Sequence, residues 1–187
     1  MDCVELFDPA PEASFGQDLY PAVIYGPPRG GGQGGGSLHV LSLGCGGAIT
    51  VFFDDPIIAD GPGPDFIVFE NAFGDPDEGT FTEPARVSVS LDGVDWREFP
   101  CQLDGQGSWP PLGCAGVMPV ESNPENGVDP TDPDVAGGDA FDLAQVGLAA
   151  ARYVRLTDAA YEYDVDAPFC GASGGFDLDA VAIVHSQ

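Results

Sequence analysis

Short runs of alternating apolar and polar residues, separated by turns rich in glycine and proline, dominate this chain. In "RVSVSL" (86–91), the apolar residues point to one side of an extended strand and the two serines to the other. Asp92-Gly93 follows directly, and this dipeptide between two such runs is the strongest short-range hairpin pattern. Glycine (27 residues) and proline (18 residues) approach a quarter of the 187 residues, so much of the chain must be turns and loops.

The same pattern along the chain predicts nine short strands and one short helix. The strands cover residues 4–7, 22–25, 40–43, 48–53, 66–70, 86–91, 94–99, 152–156 and 178–184. The helix covers 142–148, where Asp142 is the N-cap and Gln145 completes a capping box. The segment "GPPRGGGQGGGS" (26–37) is expected to be a flexible surface loop. We therefore predict one all-β domain over residues 1–187, an antiparallel β-sandwich of the jelly-roll type with long acidic and Gly/Pro-rich loops.

The charge balance excludes several classes of partner. Thirty-one acidic residues face five basic ones, for a formal net charge of −26. This charge repels phosphate backbones and anionic lipid, so we expect neither nucleic-acid binding nor membrane-surface binding. No apolar run approaches the ~20 residues of a membrane span, and we expect that a signal peptide is absent or already removed. Most of the acids are aspartate, which suits turns and oxygen cages for hard cations, although a solvated surface for salty surroundings explains the same excess.

Five cysteines indicate an oxidising, extracytoplasmic setting. Their spacing contains no zinc motif. Cys101 and Cys114 bracket a short loop, and a disulfide there would contribute roughly 3 kcal/mol through loop-closure entropy. Cys45 and Cys170 both lie beside glycine-rich turns and form a second predicted pair. Cys3 is left over, either as a lipid-attachment cysteine or as an ordinary buried thiol.

Catalytic patterns are weak. "GASGG" (171–175) matches G-x-S-x-G, but a nucleophile elbow needs a strand before the serine and a helix after it. Here a glycine-rich turn leads into a predicted strand. His39 and His185 are the only candidate histidine bases, and no pair of acids is distinguished as a hydrolytic pair. We therefore expect no enzymatic activity, with a hydrolase that uses acidic residues as an alternative.

An acidic stretch is the first candidate calcium site. "NPENGVDPTDPDVAGGDAFDL" (123–143) contains no lysine or arginine, and Ca²⁺ takes six to eight oxygens from carboxylates, Asn side chains and carbonyls. Pro130 and Pro133 stiffen the stretch, and Gly137-Gly138 lets the backbone fold back. The alternative is a solvated loop in which Asp142 acts only as a helix cap. The predicted ligands are Asp129, Asp132, Asp134 and Asp139.

A second candidate calcium site lies in "DGPGPDFIVFENAF" (60–73). Two acids, Asp60 and Asp65, flank a turn before a fully apolar strand, and Glu70-Asn71 closes that strand. Polar side chains at the end of a buried strand satisfy hydrogen bonds or bind a ligand or ion. Turn chemistry alone is an equal explanation for Asp60 and Asp65.

Two segments resemble a known superfamily. "VSVSLDGVDWREF" (87–99) resembles the hairpin of discoidin-like, galactose-binding-like domains, and "ARYVRLTD" (151–158) is similar to their late strand. The final "GFDLDAVAIVH" resembles the closing strand of calcium-bearing carbohydrate-binding modules. Over the whole chain, "SLGCGGAITVFFDDPIIADGPGPDFIVFENAF" and "GGDAFDL" resemble a group of secreted bacterial cell-surface proteins. The resemblance implies a galactose-binding-like fold and a location more than a chemistry.

The resemblance to carbohydrate-binding modules also implies a third calcium site. In those modules an acid on the last strand shares a structural calcium with an acid after the first strand. The matching residues here are Asp179 and Asp8, with Glu5 as an alternative to Asp8. Asp179 would otherwise be an exposed acid that alternates with core residues.

Ligand recognition by such modules uses loop aromatics at one rim of the sandwich. Trp109, in a loop flanked by prolines, is the first candidate platform, with core packing as its alternative. Tyr161 and Tyr163 come next. Trp96 lies in the predicted hairpin and is expected in the core.

Together these features predict a secreted, calcium-stabilised module at the bacterial cell surface. It would bind an extracellular glycan or a surface protein without catalysis. The alternatives are a self-assembling subunit of an extracellular matrix or filament, and the acidic-residue hydrolase.

Overall fold

The structure, a computed structural model, describes residues 1–75, 79–103, 112–163 and 169–187. Within them the chain forms fourteen strands, four short 3-10 helices and one α-helical turn. The 3-10 helices are Gln17–Leu19, Ala22–Ile24, Gly32–Gly34 and Leu143–Val146, and the α-helical turn, α1, is Ala160–Tyr163. The strands are β1 (Cys3–Asp8), β2 (Leu41–Ser42), β3 (Ala48–Phe52), β4 (Ile58–Ala59), β5 (Phe66–Phe69), β6 (Phe73–Asp75), β7 (Gly79–Phe81), β8 (Ala85–Ser90), β9 (Trp96–Glu98), β10 (Asp139–Phe141), β11 (Ala150–Ala151), β12 (Tyr153–Asp158), β13 (Asp177–Leu178) and β14 (Ala180–Ile183).

The largest sheet has five antiparallel strands in the order β1-β3-β12-β8-β9. Its side chains alternate as the sequence predicts, because successive residues of a strand point to opposite faces. The predicted hairpin at Asp92-Gly93 joins β8 to β9 and is confirmed. The centre of the inner face is apolar and buried, and its residues are Ile49, Val51, Val87, Val89, Val154 and Leu156.

The second sheet has three antiparallel strands in the order β10-β5-β14. Its central strand, β5, is buried on both faces. Phe66 packs against Phe99 and Phe141 in the main core, with ring centroids 5.9 and 5.2 Å away. The main core also takes in the inner face of the five-stranded sheet. The antiparallel, sandwich-like all-β fold is thereby confirmed, and its jelly-roll, galactose-binding-like topology stays a prediction.

Three predicted elements differ in the structure. The strand predicted at 22–25 is the 3-10 helix Ala22–Ile24, because Val23 and Ile24 are both buried and a strand would direct one of them outward. The strand predicted at 178–184 is two strands, β13 and β14, separated at Asp179. The predicted helix at 142–148 is a shorter 3-10 helix, although Asp142 does cap it by accepting the Ala144 N–H at 2.8 Å.

The glycine-rich segment 26–37, predicted to be a flexible loop, is held in place by backbone hydrogen bonds. Gly30 N–H donates to the Ser122 carbonyl at 3.1 Å, and Gly32 N–H donates to the Val120 carbonyl at 2.9 Å. A Cβ atom at Gly30 would lie 2.0 Å from the Val120 carbonyl oxygen. Glycine is therefore required here for close backbone approach, which composition alone does not distinguish from flexibility.

Both predicted disulfides, Cys45–Cys170 and Cys101–Cys114, are present, and Cys3 is a free thiol. Two formed disulfides indicate an oxidising compartment. In the part of the chain that is described, none of the helices has the length and apolarity that a membrane crossing requires.

We expect the two disulfides to differ in their contribution to stability. Replacing both cysteines of Cys45–Cys170 by serine should lower the free energy of unfolding by about 4 to 5 kcal/mol, and the same change at Cys101–Cys114 by about 3 kcal/mol. The sequence separations are 125 and 13 residues, and a longer loop gains more freedom when it is opened. Urea unfolding of the two double variants measures both values, and an equal or reversed order would contradict the loop-length explanation.

Candidate metal centre

Four buried carboxylates lie at or beside strand ends, near enough that their charges raise one another's pKa. Glu70 follows β5, Glu83 precedes β8, Asp158 ends β12 and Asp177 begins β13. Their exposed fractions are 2, 7, 5 and 3%, respectively. We call these four residues the acidic centre. Acidic side chains are almost never this buried unless they are paired or hydrogen-bonded.

Two glycine-rich turns supply backbone donors to the acidic centre. Gly175 N–H donates to Glu83 Oε1 at 2.7 Å, and the N–H groups of Gly46 and Phe176 donate to Asp158 at 2.6 and 2.8 Å. Gly175 has a positive φ of 77°, and a Cβ atom there would lie 2.5 Å from the Gly44 carbonyl carbon. The Cys45–Cys170 disulfide joins these two turns, so it holds the donors in place.

The other half of the acidic centre is less well satisfied. The Ser42 hydroxyl donates to Asp177, and the Asn71 side chain also hydrogen-bonds to Asp177. Asp177 N–H approaches Glu70 Oε1 at 3.4 Å, which is a weak contact. Glu70 Oε2 and Asn71 Oδ1 are buried and have no hydrogen-bond partner. These unpartnered oxygens are acceptors of the kind that a hard cation binds.

Burial raises the pKa of every carboxylate in the acidic centre. It raises the pKa of Glu83 to about 8 and that of Asp177 to about 6. It raises the pKa of Glu70 well above its usual range, with a further contribution from the charges of Asp177 and Glu83. Burial also raises the pKa of Asp158, against three backbone hydrogen bonds that lower it.

The acidic centre has no basic partner in the part of the chain that the structure describes. Within the described residues, no arginine, lysine or histidine contributes to the pKa of any of its four carboxylates. An unpaired buried charge costs several kcal/mol even after relaxation. Backbone hydrogen bonds, protonation near neutral pH and a bound cation each offset that cost, and the unpartnered oxygens of Glu70 and Asn71 favour a cation.

A second acidic group satisfies the geometric requirement for a metal more directly. Asp60, Asp65 and Asp142, which we call the Asp triad, each offer a carboxylate oxygen, and these oxygens all lie within 4.8 Å of one another. It is the only such group of three among the described residues. However, Asp65 already accepts the N–H groups of Gly61 and Leu143, both at 2.7 Å, and His185 Nδ1 lies 3.1 Å from its Oδ1. The triad therefore has suitable geometry and fewer unmet hydrogen bonds than the acidic centre.

The structure separates the carboxylates of the acidic stretch. Asp129 and Asp132 are exposed, and each accepts a backbone N–H two residues ahead, from Thr131 and Asp134. Asp134 is also exposed. Asp139 is buried and accepts the N–H groups of Gly116 and Val117 at 2.8 and 3.0 Å. Local turns thus account for the order of this stretch, and calcium binding by it stays a prediction.

Asp8 and Asp179 have different surroundings. Asp8 is exposed at the end of β1, whereas Asp179 is 2% exposed between β13 and β14. Asp179 Oδ2 accepts the Arg29 backbone N–H at 2.7 Å, its Oδ1 has no partner, and burial raises its pKa to about 7. The expectation of an exposed, alternating acid at this position is wrong, and the calcium shared with Asp8 or Glu5 stays a prediction.

The aromatic residues predicted to bind a ligand differ in their exposure to solvent. Trp109 lies outside the described residues. Tyr161 is exposed on α1, and Tyr163 is half-buried at its end, where the Thr82 hydroxyl donates to its oxygen at 3.3 Å. Trp96 was expected in the core, but it is half-buried on the outer face of the five-stranded sheet, because its register places it opposite Ser90 on that face.

Four of the clustered acids are absent from the calcium sites that the sequence predicts. Glu83, Asp158 and Asp177 belong to the acidic centre, and Asp142 is predicted only as a helix cap. One pattern could have indicated the first three: each is an acid at the end of a predicted strand ("TFTEPARV", "VRLTDAA", "GGFDLDA"). The same pattern describes many exposed acids in this chain, so burial was needed to distinguish them.

Comparison of the chain with protein-family models, with curated proteins and with solved structures gave no match. The resemblance to galactose-binding-like cell-surface proteins therefore stays a prediction. The function must be argued from the chemistry of the buried and surface sites.

Substitution of Asp139 tests whether this residue of the acidic stretch stabilises the fold through hydrogen bonds rather than by binding calcium. Replacing Asp139 with Ala should lower the free energy of unfolding by about 1 to 3 kcal/mol, because two buried N–H groups lose their acceptor. Asp139→Asn keeps an acceptor oxygen and should cost less. Urea unfolding in EDTA and in CaCl₂ should show the same loss for Asp139→Ala. A loss that appears only in CaCl₂ would instead make Asp139 a calcium ligand.

The acidic centre makes the cation-free protein sensitive to pH. Because folding raises the pKa of Glu83 and Asp177, the folded state binds more protons than the unfolded state between about pH 4 and the folded values near 6 and 8. Stability in EDTA should therefore be highest near pH 5 and fall as the pH rises to about 8. Calorimetric melting temperatures at pH 5, 6.5 and 8 measure this slope. Glu83→Gln should flatten the slope while Glu121→Gln, an exposed control, should not, and a wild-type melting temperature that rises with pH would contradict the assignment.

Proposed function

We propose that this chain is a non-catalytic, calcium-stabilised β-sandwich module that binds a glycan or a protein at the bacterial cell surface. The observation that carries the calcium assignment is the unpartnered, buried Oε2 of Glu70 within four carboxylates that lack a counter-charge. Ca²⁺ fits the available ligands better than zinc or copper, since these are carboxylate, amide and hydroxyl oxygens. The Asp triad provides a second, more exposed position for the same ion.

A cation in the acidic centre would have a structural role. Its ligands come from the ends of β5 and β13 and from the residues beside them, Ser42 and Asn71. These elements belong to the second sheet and to the small β2-β13 sheet. An ion held among them would connect segments that are distant in sequence and would offset the repulsion within a chain of net charge −26.

Calcium titration of EDTA-stripped protein tests this function. At a free Ca²⁺ concentration 100 times Kd, the native state should gain about 2.7 kcal/mol, which raises the melting temperature of a chain this size by roughly 5 to 10 °C. Calorimetric titration should show binding heat. An unchanged melting temperature together with no binding heat would overturn the calcium assignment.

Variants distinguish the two calcium positions. Glu70→Gln and Asp177→Asn should each raise the melting temperature in EDTA, because a buried charge is removed, and should abolish most of the rise caused by Ca²⁺. Glu12→Gln and Asp18→Asn remove the same charge from exposed positions outside every candidate calcium site and serve as matched controls. If Asp60→Asn rather than Glu70→Gln abolishes the response, the ion binds at the Asp triad. Sedimentation with and without Ca²⁺ should show a monomer, whereas calcium-driven assembly would favour the structural-subunit alternative.

A further inference from the structure

The outer face of the five-stranded sheet forms a polar groove of about 180 Å³. Strand register aligns two rows of side chains across this face. One row contains Phe52, Tyr153, Ser90 and Trp96, and the other contains Leu6, Thr50, Arg155 and Ser88. The groove lies between these rows and is bordered by the Asp92-Gly93 turn and by β1.

Arg155 at the groove is a cation without an acidic partner. Its Nε donates to Thr50 Oγ1 at 3.1 Å, and its guanidinium carbon lies 3.8 Å from the Trp96 ring centroid. Of the other four arginines, Arg86 is ion-paired with Glu98 and Glu162, and Arg152 with Asp54. Arg29 and Arg97 form no ion pair within the described residues, but neither lines the groove. In a chain with 31 acidic residues, an arginine whose two terminal nitrogens have no hydrogen-bond partner in the described structure is available to a ligand.

The groove also contains acceptors. Asp92 lies at one border, where the N–H groups of Val94 and Asp95 donate to its Oδ1 and lower its pKa, so it is ionised at neutral pH. Glu5 lies at the other border, at a shift in the register between Val4 and Leu6. Such bulges redirect a side chain and recur beside functional sites. Neither acid forms an ion pair with Arg155 among the described contacts.

Aromatic rings give the groove a rigid wall. Trp96 Nε1 donates to the Gly93 carbonyl at 3.1 Å, which holds the indole in one orientation. The Tyr153 ring lies 6.2 Å from the Trp96 ring and 4.9 Å from that of Phe52, measured between centroids. A Cβ atom at Gly93 would lie 3.3 Å from the Tyr153 ring. The lack of a side chain at Gly93 therefore lets the turn pack closely against this ring. The wall is preformed, which reduces the entropy lost on binding.

We propose that this groove binds a neutral saccharide through adjacent hydroxyl groups. A sugar hydroxyl both donates and accepts, so a neighbouring pair can accept from the two terminal nitrogens of Arg155 and donate to Asp92 or Glu5. Ring carbons of the sugar pack on Tyr153 and on the edge of Trp96. A net charge of −26 disfavours an anionic ligand at the same place. This inference rests on one part of the proposed function, namely that the chain is a binding module. It does not depend on the calcium assignment, because the groove shares no residue with the acidic centre or the Asp triad.

A glycan array tests the proposal. Intact, calcium-loaded protein is applied to neutral gluco-, galacto- and manno-oligosaccharides printed beside uronic-acid oligosaccharides, and the strongest neutral ligand is then titrated by calorimetry. Arg155→Gln should weaken binding about tenfold or more, and Arg155→Lys should also weaken it because the two-pronged donor is lost. Arg97→Gln removes the same charge from an exposed position outside the groove and should bind as the wild type does. Melting temperatures confirm that each variant is folded.

The outcomes test saccharide binding by the groove independently of the calcium assignment. Binding that depends on Arg155 supports the groove even if calcium titration shows no ion. The proposal is overturned if no neutral oligosaccharide binds, if uronic-acid oligosaccharides bind more tightly, or if a folded Arg155→Gln protein binds as the wild type does. Should Arg155→Gln fail to fold, Glu5→Gln and Trp96→Phe test the same surface, and unchanged binding by both would overturn it.

Discussion

The burial of acidic side chains between two sheets is the constraint on which the rest of this structure depends. Glu70, Glu83, Asp158 and Asp177 lie at strand ends, where the backbone leaves one sheet for the next element. Each brings a charge into a region of low dielectric, where repulsion between like charges is strong. The glycine turns at 44–47 and 171–175, the Cys45–Cys170 disulfide and the Ser42 hydroxyl are all arranged around these carboxylates.

Electrostatics and geometry point to different places for a cation. The Asp triad brings three carboxylates within 4.8 Å of one another, but its buried member, Asp65, has its hydrogen bonds satisfied. The acidic centre is more dispersed, yet Glu70 Oε2 and the neighbouring Asn71 Oδ1 have no hydrogen-bond partner in the described structure, and the pKa values of its carboxylates are raised. We give more weight to the acidic centre, because a buried unsatisfied charge has a free-energy cost that an exposed cluster does not.

The two faces of the five-stranded sheet differ in composition. The inner face is apolar and supplies the main core. The outer face combines aromatic rings with an arginine that has no acidic partner, an arrangement that stability does not require. Arg155 stacks on Trp96 and so covers part of that ring, which leaves its own terminal nitrogens as the groove's donors. A rigid sheet face positions such groups more accurately than the loops that the sequence predicted for ligand binding.

Local patterns in the sequence predicted the longer strands, the Asp92-Gly93 hairpin, the Asp142 cap and the Cys101–Cys114 disulfide, because each depends on neighbouring residues or on a short loop. The short strands β4, β6, β7, β10 and β11 were not predicted. The Cys45–Cys170 pair, 125 positions apart, was predicted only from the glycine-rich turns beside its cysteines. Which acids are buried together was decided only by the tertiary structure, since Glu70 and Asp177 are 107 positions apart. An acid at a strand end has the same sequence pattern whether it faces water or the interior. The same limit applies to Trp96 and Arg155, whose contact depends on the register between β9, β8 and β12.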